Sequence, residues 1–213
     1  SGGFFASNTS TLPISGLAKA SANASKFIGI HFFSPVDKMK LVEIIRGAQT
    51  DDETVARAYD YVQALGKIPI VVNDSRGFYM SLTFGTCVLE GISRWGEGIP
   101  AAVVENAGLQ CGMPVGPLTV LDQTSLSLSV HVMDQTKADF AAEGKTWEPA
   151  PGQLLVQRMV KELNRPGRAA GAGFYDYANG KKLQLWSGLK TEFENTTVAW
   201  DIATLKDRIL YRQ

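Results

Sequence analysis

The sequence predicts two regions of different fold class, an α/β region over residues 1–76 and an all-α region over residues 77–200. In the first region, short β-rich apolar runs alternate with helical patterns, as in an α/β sheet. Beyond Gly77, apolar residues recur at helical spacing and no convincing strand pattern interrupts them. Residues 201–213 are predicted to start a further helix.

Four strands and two helices are predicted in the α/β region. Pro13 suits the first turn of the first helix, and the acidic run Asp51–Glu53 suits the positive end of the second helix dipole. Gly66 marks the end of that second helix. The predicted strands begin at Phe4 and cover Phe27–Phe33, Leu41–Ile45 and Ile68–Val72, and the predicted helices cover Ile14–Ala24 and Glu53–Leu65.

The second region reads as a series of helices joined by loops. Asp122 follows the loop Gly112–Pro117 and is expected to cap or brace it. Gly171–Tyr177 is predicted to be a turn, and Lys181–Thr197 an irregular arm. The predicted helices are Phe78–Trp95, Pro100–Gly108, Leu118–Ala142 with a break near Ser125–Ser129, Gln153–Leu163 and Asp201–Gln213.

The composition argues against several classes of protein. Of the 213 residues, 45% are hydrophobic and 20% charged, and 21 basic residues balance 21 acidic ones, so nothing points to nucleic acid. The apolar runs fall short of the ~20 residues that span a bilayer. The two cysteines stand in unrelated contexts without metal-ligand spacing. We therefore expect no disulfide framework and no metal site, and we expect a cytoplasmic protein.

One histidine and one glutamate are predicted to face each other. If the strands Phe27–Phe33 and Leu41–Ile45 pair antiparallel about Asp37, His31 and Glu43 lie opposite, since each stands six residues from that centre. Opposed side chains have Cβ atoms about 4.5–5.5 Å apart. A carboxylate there can orient an imidazole as a general base. A satisfied core histidine beside an edge glutamate is the plainer alternative.

A cluster of small polar residues follows the first strand. Ser7, Asn8, Thr9 and Ser10 come directly after it, and ligands bind at the carboxyl ends of strands in open α/β sheets. Capping of the helix that starts near Pro13 is the alternative, and both roles can hold together.

Several motifs occur in one order along the chain, and together they resemble those of the L-3-hydroxyacyl-CoA dehydrogenases of fatty-acid β-oxidation. The resemblance covers nearly the whole chain. The closing 207–211 segment resembles the entry to a second helical repeat in the multifunctional members, which also carry an enoyl-CoA hydratase part. The motifs are Ser7–Ser10, His31–Val36, Leu41–Glu43, Gly77–Phe78, Gly112–Pro117 and Gly173–Tyr175.

The resemblance implies a Rossmann-type domain, a helical C-terminal domain, NAD as cofactor and an acyl-CoA as substrate. His31 becomes the general base for the 3-hydroxyl proton, with Glu43 orienting it. Ser10 hydrogen-bonds the substrate oxygen near the nicotinamide, and Asn8, Ser10 and Ser34 are placed at the cofactor. A homo-oligomer or an intramolecular second repeat is the implied helical partner.

Two positions depart from the family pattern. Ser34 and Ser81 stand where the family commonly has Asn. Ser81 is assigned to the catalytic site, and a serine there still donates a hydrogen bond but is shorter.

The sequence contains no G-x-G-x-x-G after a strand, the loop that holds a dinucleotide pyrophosphate. We therefore expect the first, phosphate-binding half of the Rossmann domain to be missing. The chain is then a fragment of a larger multifunctional protein, with an exposed sheet edge and no activity alone.

Two other functions compete with the dehydrogenase. A non-enzymatic assembly module of the same larger protein would use only the helical half, but it has no need of Ser10, His31 and Glu43 together. A dehydrogenase acting on another hydroxy acid commonly relies on a lysine of its helical domain, and the His31-Phe32-Phe33 motif argues against it.

Overall fold

The computed structural model describes residues 3–193 and 199–211, with only the backbone at 192 and 193. The chain divides into two compact units, one up to Gly85 and one from Thr86 onward. The first is an α/β unit and the second is mainly helical, which confirms the predicted fold class. The domain limits 1–76, 77–200 and 201–213 stay predictions.

The first unit is built on a four-stranded sheet with the order β1-β2-β3-β4. β1 pairs parallel with β2, and β3 pairs parallel with β4. β2 and β3 pair antiparallel across the loop 33–40, which confirms the predicted pairing. The strands are β1 (Phe5–Ser7), β2 (Phe27–Phe32), β3 (Leu41–Arg46) and β4 (Ile68–Asn73).

Two helices accompany this sheet, α1 (Ile14–Ala18) and α2 (Asp52–Ala64). The Asp51 carboxylate caps α2 by accepting from Thr54 N at 2.8 Å, and Gly66 follows it with φ +70°. α1 is shorter than predicted. The hydroxyl of Ser21 and the amide oxygen of Asn23 accept from backbone N–H groups two residues on, and such local bonds compete with helix formation.

The strand alternation sends two sets of side chains to opposite faces. Ile28 and Ile30 of β2 pack with Val42 and Ile44 of β3 against α2. The other face carries Phe27, Ile45, Ile14 of α1 and Phe78. His31 and Glu43 share this second face by the same alternation.

Gly29 lets α1 approach the sheet. A Cβ built there would stand 2.8 Å from side-chain atoms of both Ile14 and Ile45. Gly29 therefore lets Ile14 of α1 pack on the same face of the sheet that carries His31.

The second unit contains most of the helices, and α3 runs across the division between the units. The predicted break near Ser125–Ser129 is confirmed at Ser125, which has φ +78° and whose hydroxyl accepts from Leu128 N. In the described ranges, no helix is both long and apolar enough to cross a membrane. The helices from α3 to α9 are Met80–Gly96, Ala101–Gln110, Pro117–Thr124, Leu126–Ala142, Pro151–Lys161, Gly188–Phe193 and Ile202–Tyr211.

The second unit also contains a β-hairpin, so the predicted irregular arm Lys181–Thr197 was wrong over residues 181–185, and it was wrong again over α8 at residues 188–193. β5 (Tyr175–Ala178) pairs antiparallel with β6 (Lys181–Leu185). Asn179 and Gly180 link them with φ values of +51° and +72°, and Asn-Gly is the strongest short hairpin signal in a sequence. Residues 194–197 of the predicted arm lie outside the described residues.

Candidate active site

His31 and Glu43 lie directly opposite each other on β2 and β3, as the strand spacing predicted. His31 Nδ1 stands 2.7 Å from Glu43 Oε2. His31 is 6% exposed and Glu43 is fully buried. With Nδ1–H donating to the carboxylate, the neutral ring keeps its lone pair on Nε2. The pair therefore holds one tautomer, with Nε2 available as a base.

The second oxygen of Glu43 contacts the N-terminus of α3, which sequence reasoning missed. Glu43 Oε1 accepts from Tyr79 N at 3.1 Å and from Met80 N at 2.8 Å. Unsatisfied amides and the positive end of the macrodipole meet at a helix N-terminus. Three donors thus converge on the two carboxylate oxygens. The sequence predicted a helix starting at Phe78, but its local pattern could not show that Glu43, on a distant strand, accepts hydrogen bonds from the N-terminus of that helix.

Aromatic rings flank the imidazole of His31. The ring of Phe33 lies 4.4 Å from it and the ring of Phe78 lies 6.0 Å away, measured between centroids. Apolar neighbours limit the access of water to the His31–Glu43 bond and so strengthen it.

The remaining predicted residues lie on the loops and the helix around this pair. Asn8 is exposed, and its Oδ1 accepts from Phe32 N at 2.9 Å. Ser10 and Ser34 are exposed, and Ser81 is half-buried in the first turn of α3. Among the described residues, neither Ser10 nor Ser34 hydrogen-bonds His31 or Glu43. Of the predicted site residues, all of which the structure describes, His31 and Glu43 are the two that it joins by a hydrogen bond.

Asp74 ties the start of α1 to the end of the sheet, another contact that the sequence analysis missed. Its two carboxylate oxygens accept from Ile14 N and Ser15 N, each at 2.7 Å. Gly77 N donates to Thr11 O at 3.3 Å. These bonds hold the polar loop that contains Ser10 against the segment leading into α3.

Two buried carboxylates organise the second unit. Glu105 accepts from Leu118 N at 2.9 Å and from the backbone N–H and the hydroxyl of Thr119. It therefore caps α5, directly after the loop Gly112–Pro117.

Asp122 does not brace that loop, contrary to the prediction. Its carboxylate accepts from Phe174 N at 2.8 Å, Tyr175 N at 2.9 Å and the Tyr177 hydroxyl at 2.8 Å. Burial raises the pKa of Asp122, while these hydrogen bonds act to lower it. Asp122 holds the Gly173–Tyr175 turn at the start of the hairpin, 52 residues away along the chain.

The chain is a two-unit α/β protein, in which the α/β unit with the buried His31–Glu43 pair is followed by a mainly helical unit. Residues 1–75 match the NAD-binding domain of 3-hydroxyacyl-CoA dehydrogenase, and residues 77–177 match its C-terminal domain. The chain therefore belongs to the 3-hydroxyacyl-CoA dehydrogenase family, as its motifs predicted. The family is one of NAD-dependent dehydrogenases, and the part of it that residues 1–75 match is its NAD-binding domain.

Among its relatives is the fatty acid oxidation complex subunit alpha of Shewanella sp. (strain MR-7), which is 37% identical over 178 residues. The match covers 84% of this chain and 24% of that protein. The subunit alpha of Vibrio cholerae is 35% identical over 181 residues, covering 85% of this chain and 25% of that protein. The chain thus spans about a quarter of the length of these curated relatives.

Solved structures agree with this assignment. The (S)-3-hydroxybutyryl-CoA dehydrogenase of Ralstonia eutropha superposes with a TM-score of 0.70 at 35% identity, over 83% of this chain and 61% of that one. The dehydrogenase part of multifunctional enzyme 1 of C. elegans covers 98% of this chain and 47% of that one, with a TM-score of 0.62. At 24% identity, that second likeness supports the fold alone.

Proposed function

We propose that this chain carries the proton-transfer machinery of an enzyme that oxidises L-3-hydroxyacyl-CoA to 3-oxoacyl-CoA with NAD in fatty-acid β-oxidation. The buried His31–Glu43 pair carries the proposal. A histidine held in one tautomer by a carboxylate is the arrangement that removes a hydroxyl proton. The names of the relatives, which are subunits of fatty acid oxidation complexes, support the substrate class.

In the proposed reaction, His31 Nε2 takes the proton of the 3-hydroxyl group as C3 loses a hydride and the C–O bond becomes a carbonyl. Glu43 stabilises the charged imidazole across 2.7 Å. Ser10 donates a hydrogen bond to the substrate oxygen, and Ser81 lines the same site from α3. Because the cofactor carries the redox step, the protein has to supply only a base for the hydroxyl proton and a fixed hydrogen-bond donor for the substrate oxygen.

The residues present fit the nicotinamide end of the cofactor. Exposed polar side chains at the carboxyl end of β1, Asn8 and Ser10, offer the donors and acceptors that a carboxamide needs, and we assign the exposed Ser34 to the same cofactor site. When bound, NAD supplies the acceptor for the hydride. The glycine-rich pyrophosphate loop is not among the 213 residues, so we infer that this chain needs that loop for turnover.

The test is NADH formation from L-3-hydroxybutyryl-CoA. It compares this chain with a version that includes a glycine-rich phosphate loop upstream. Each is measured as wild type, as His31→Gln and as His131→Gln, since His131 is the other histidine and is exposed. We expect the short chain to be silent and His31→Gln to lower kcat of the long one about 10²–10⁴-fold. An extended His31→Gln protein that keeps its activity overturns the role of His31.

Assembly is a second candidate role for the helical unit. Leu128, Leu154 and Leu210 are each about half exposed on its helices, and exposed apolar groups favour contact with other protein surfaces. We propose that they contact either a second copy or a second helical repeat of a longer chain. Light scattering on this chain and on a version extended downstream through a second helical repeat separates the two. A dimer of both supports the first, whereas a dimer of this chain that becomes a monomer when the second repeat is added supports the second.

A further inference from the structure

The orientation of the His31–Glu43 pair depends on the tight backbone turn at residues 75–78, just before α3, which we call the corner. Glu43 Oε1 is held by Tyr79 N and Met80 N, while Oε2 holds His31 Nδ1. The carboxylate is therefore fixed from two sides. Any shift of these two amides turns the carboxylate and changes the hydrogen bond to the imidazole.

The corner that presents the two amides has an unusual backbone. Gly77 and Phe78 are both left-handed, with φ of +75° and +51°. A glycine adopts this conformation without cost, whereas a residue with a bulky side chain adopts it only when its surroundings enforce it. Phe78 N donates to Ser75 O at 3.3 Å and the Ser75 hydroxyl donates to Phe78 O at 3.4 Å, closing the corner as a tight turn.

The side chain of Phe78 provides the anchor that enforces this conformation. It is 1% exposed and belongs to the core cluster with Ile14, Phe27 and Ile45. Its ring also lies 6.0 Å from the imidazole of His31. One side chain therefore fixes both the corner that holds Glu43 and one wall of the His31 site.

We propose that Phe78 is a positioning residue for the His31–Glu43 pair. It acts through the Tyr79 and Met80 amides on Glu43, and through Glu43 on His31. Its effect on catalysis rests on the proposed function of His31, but its effect on the hydrogen bond does not.

The direct test is NMR of the ¹⁵N-labelled chain, which needs neither cofactor nor substrate. An imidazole Nδ1–H bonded to a buried carboxylate exchanges slowly and gives a far-downfield proton signal. The chain has two histidines, and His131 is exposed, so loss of the signal in His31→Gln assigns it. We expect Phe78→Leu to broaden or abolish this signal and to shift the amide signals of Tyr79 and Met80.

Phe27→Leu is the matched control for the loss of core volume. Phe27 is 6% exposed and belongs to the same cluster, but it takes no part in the corner. We expect both variants to lower the melting temperature by similar amounts, and only Phe78→Leu to lose the Nδ1–H signal. If both keep the signal at equal stability, Phe78 is only a core residue and the proposal falls.

A second pair of variants changes the corner without making a cavity. Gly77→Ala forces a Cβ into a conformation with φ +75°, 3.3 Å from the Cβ of Ser81. Gly66→Ala imposes the same kind of strain at φ +70° at the end of α2, with nothing within 4 Å. We expect Gly77→Ala to weaken the Nδ1–H signal and Gly66→Ala to leave it intact. Equal behaviour of the two variants contradicts the proposal.

Activity of the extended protein gives the catalytic consequence. We expect Phe78→Leu to lower kcat ten- to a hundredfold with KM within about twofold, and Phe27→Leu to change kcat less than threefold. If the NMR signal responds as expected but the extended wild type does not oxidise the substrate, the positioning role stands and the proposed reaction falls. If the reaction proceeds and Phe78→Leu retains both signal and kcat, the positioning role falls alone.

Discussion

His31 Nδ1 and Glu43 Oε2 stand 2.7 Å apart across neighbouring antiparallel strands, and Glu43 is fully buried and His31 nearly so. The contact follows from strand register, which is set by the apolar pattern of β2 and β3. A shift of β2 by one residue would send His31 to the α2 face, leave Glu43 where it is and so separate the pair. The same pattern that builds the core therefore also builds the candidate site.

Glu43→Gln tests how much the pair contributes. The amide keeps the shape, but it has one acceptor oxygen where three donors now converge. We expect the extended enzyme to lose about 10²-fold in kcat/KM, and the unfolding free energy of the chain to fall by about 1–3 kcal/mol. Initial rates of NADH formation and urea titrations measure the two effects.

The control for this variant is Glu53→Gln, at an exposed position on α2 that pairs only with surface charges. Such surface pairs contribute little, about 0–1 kcal/mol. Unchanged rates in Glu43→Gln would remove the carboxylate from the proposed reaction.

Asn8 combines an observed structural bond with a proposed cofactor contact, and two substitutions separate them. Asn8→Asp keeps the acceptor for Phe32 N but loses the amide donors, whereas Asn8→Ala loses both. We expect Asn8→Ala to destabilise the chain by about 0.5–1.5 kcal/mol and Asn8→Asp to do so less.

The binding measurement is titration of NAD into the extended protein. We expect Asn8→Asp to weaken the affinity about five- to tenfold, the equivalent of one hydrogen bond. Equal affinity in Asn8→Asp and wild type would leave Asn8 with the structural role alone.

The sequence predicted what depends on local pattern. The four strands of the sheet, the start of α2 near Asp51 and its end at Gly66, the break at Ser125 and the opposition of His31 and Glu43 all follow from apolar spacing and from residues close together in the chain. It did not predict contacts that join distant segments through a single carboxylate. Asp74 to α1, Glu43 to α3 and Asp122 to the hairpin are examples.

The hairpin β5–β6 was missed for a different reason. Its strands are short and mostly polar, with Lys181–Leu185 largely exposed, so alternation is weak. The signal lay in the turn, since Asn179-Gly180 matches a two-residue hairpin link. Turn chemistry was the better guide here than hydrophobic periodicity.

Cys87 is expected to resist alkylation in the native chain. It is 1% exposed on α3, and burial raises the pKa of its thiol to about 11. Since only the thiolate reacts, we expect its rate with iodoacetamide at pH 8 to be about 10²-fold below that of an exposed thiol. Peptide mapping after timed labelling measures this rate, with the chain in urea as the control. Equal rates at Cys87 with and without urea would contradict its burial.

Asp122→Asn tests the carboxylate that holds the hairpin. Asn presents one oxygen and an NH₂ group to the Phe174 and Tyr175 amides and the Tyr177 hydroxyl, so at least one donor loses its acceptor. We expect a loss of about 1–3 kcal/mol in unfolding free energy, whereas Tyr177→Phe, which removes one of the three bonds, costs about 1 kcal/mol.

The pH dependence of that loss has a predictable sign. Burial raises the pKa of Asp122 in the folded chain above its unfolded value near 3.9, so the folded state binds its proton more tightly. This contribution is fully present below pH 3.9 and is lost as the pH rises through the folded pKa. The unfolding free energy of wild type should therefore exceed that of Asp122→Asn by more at pH 4 than at pH 7. Urea titrations of both proteins at several pH values measure this difference. A gap that widens toward neutral pH would show instead that the three hydrogen bonds outweigh burial and keep the carboxylate charged.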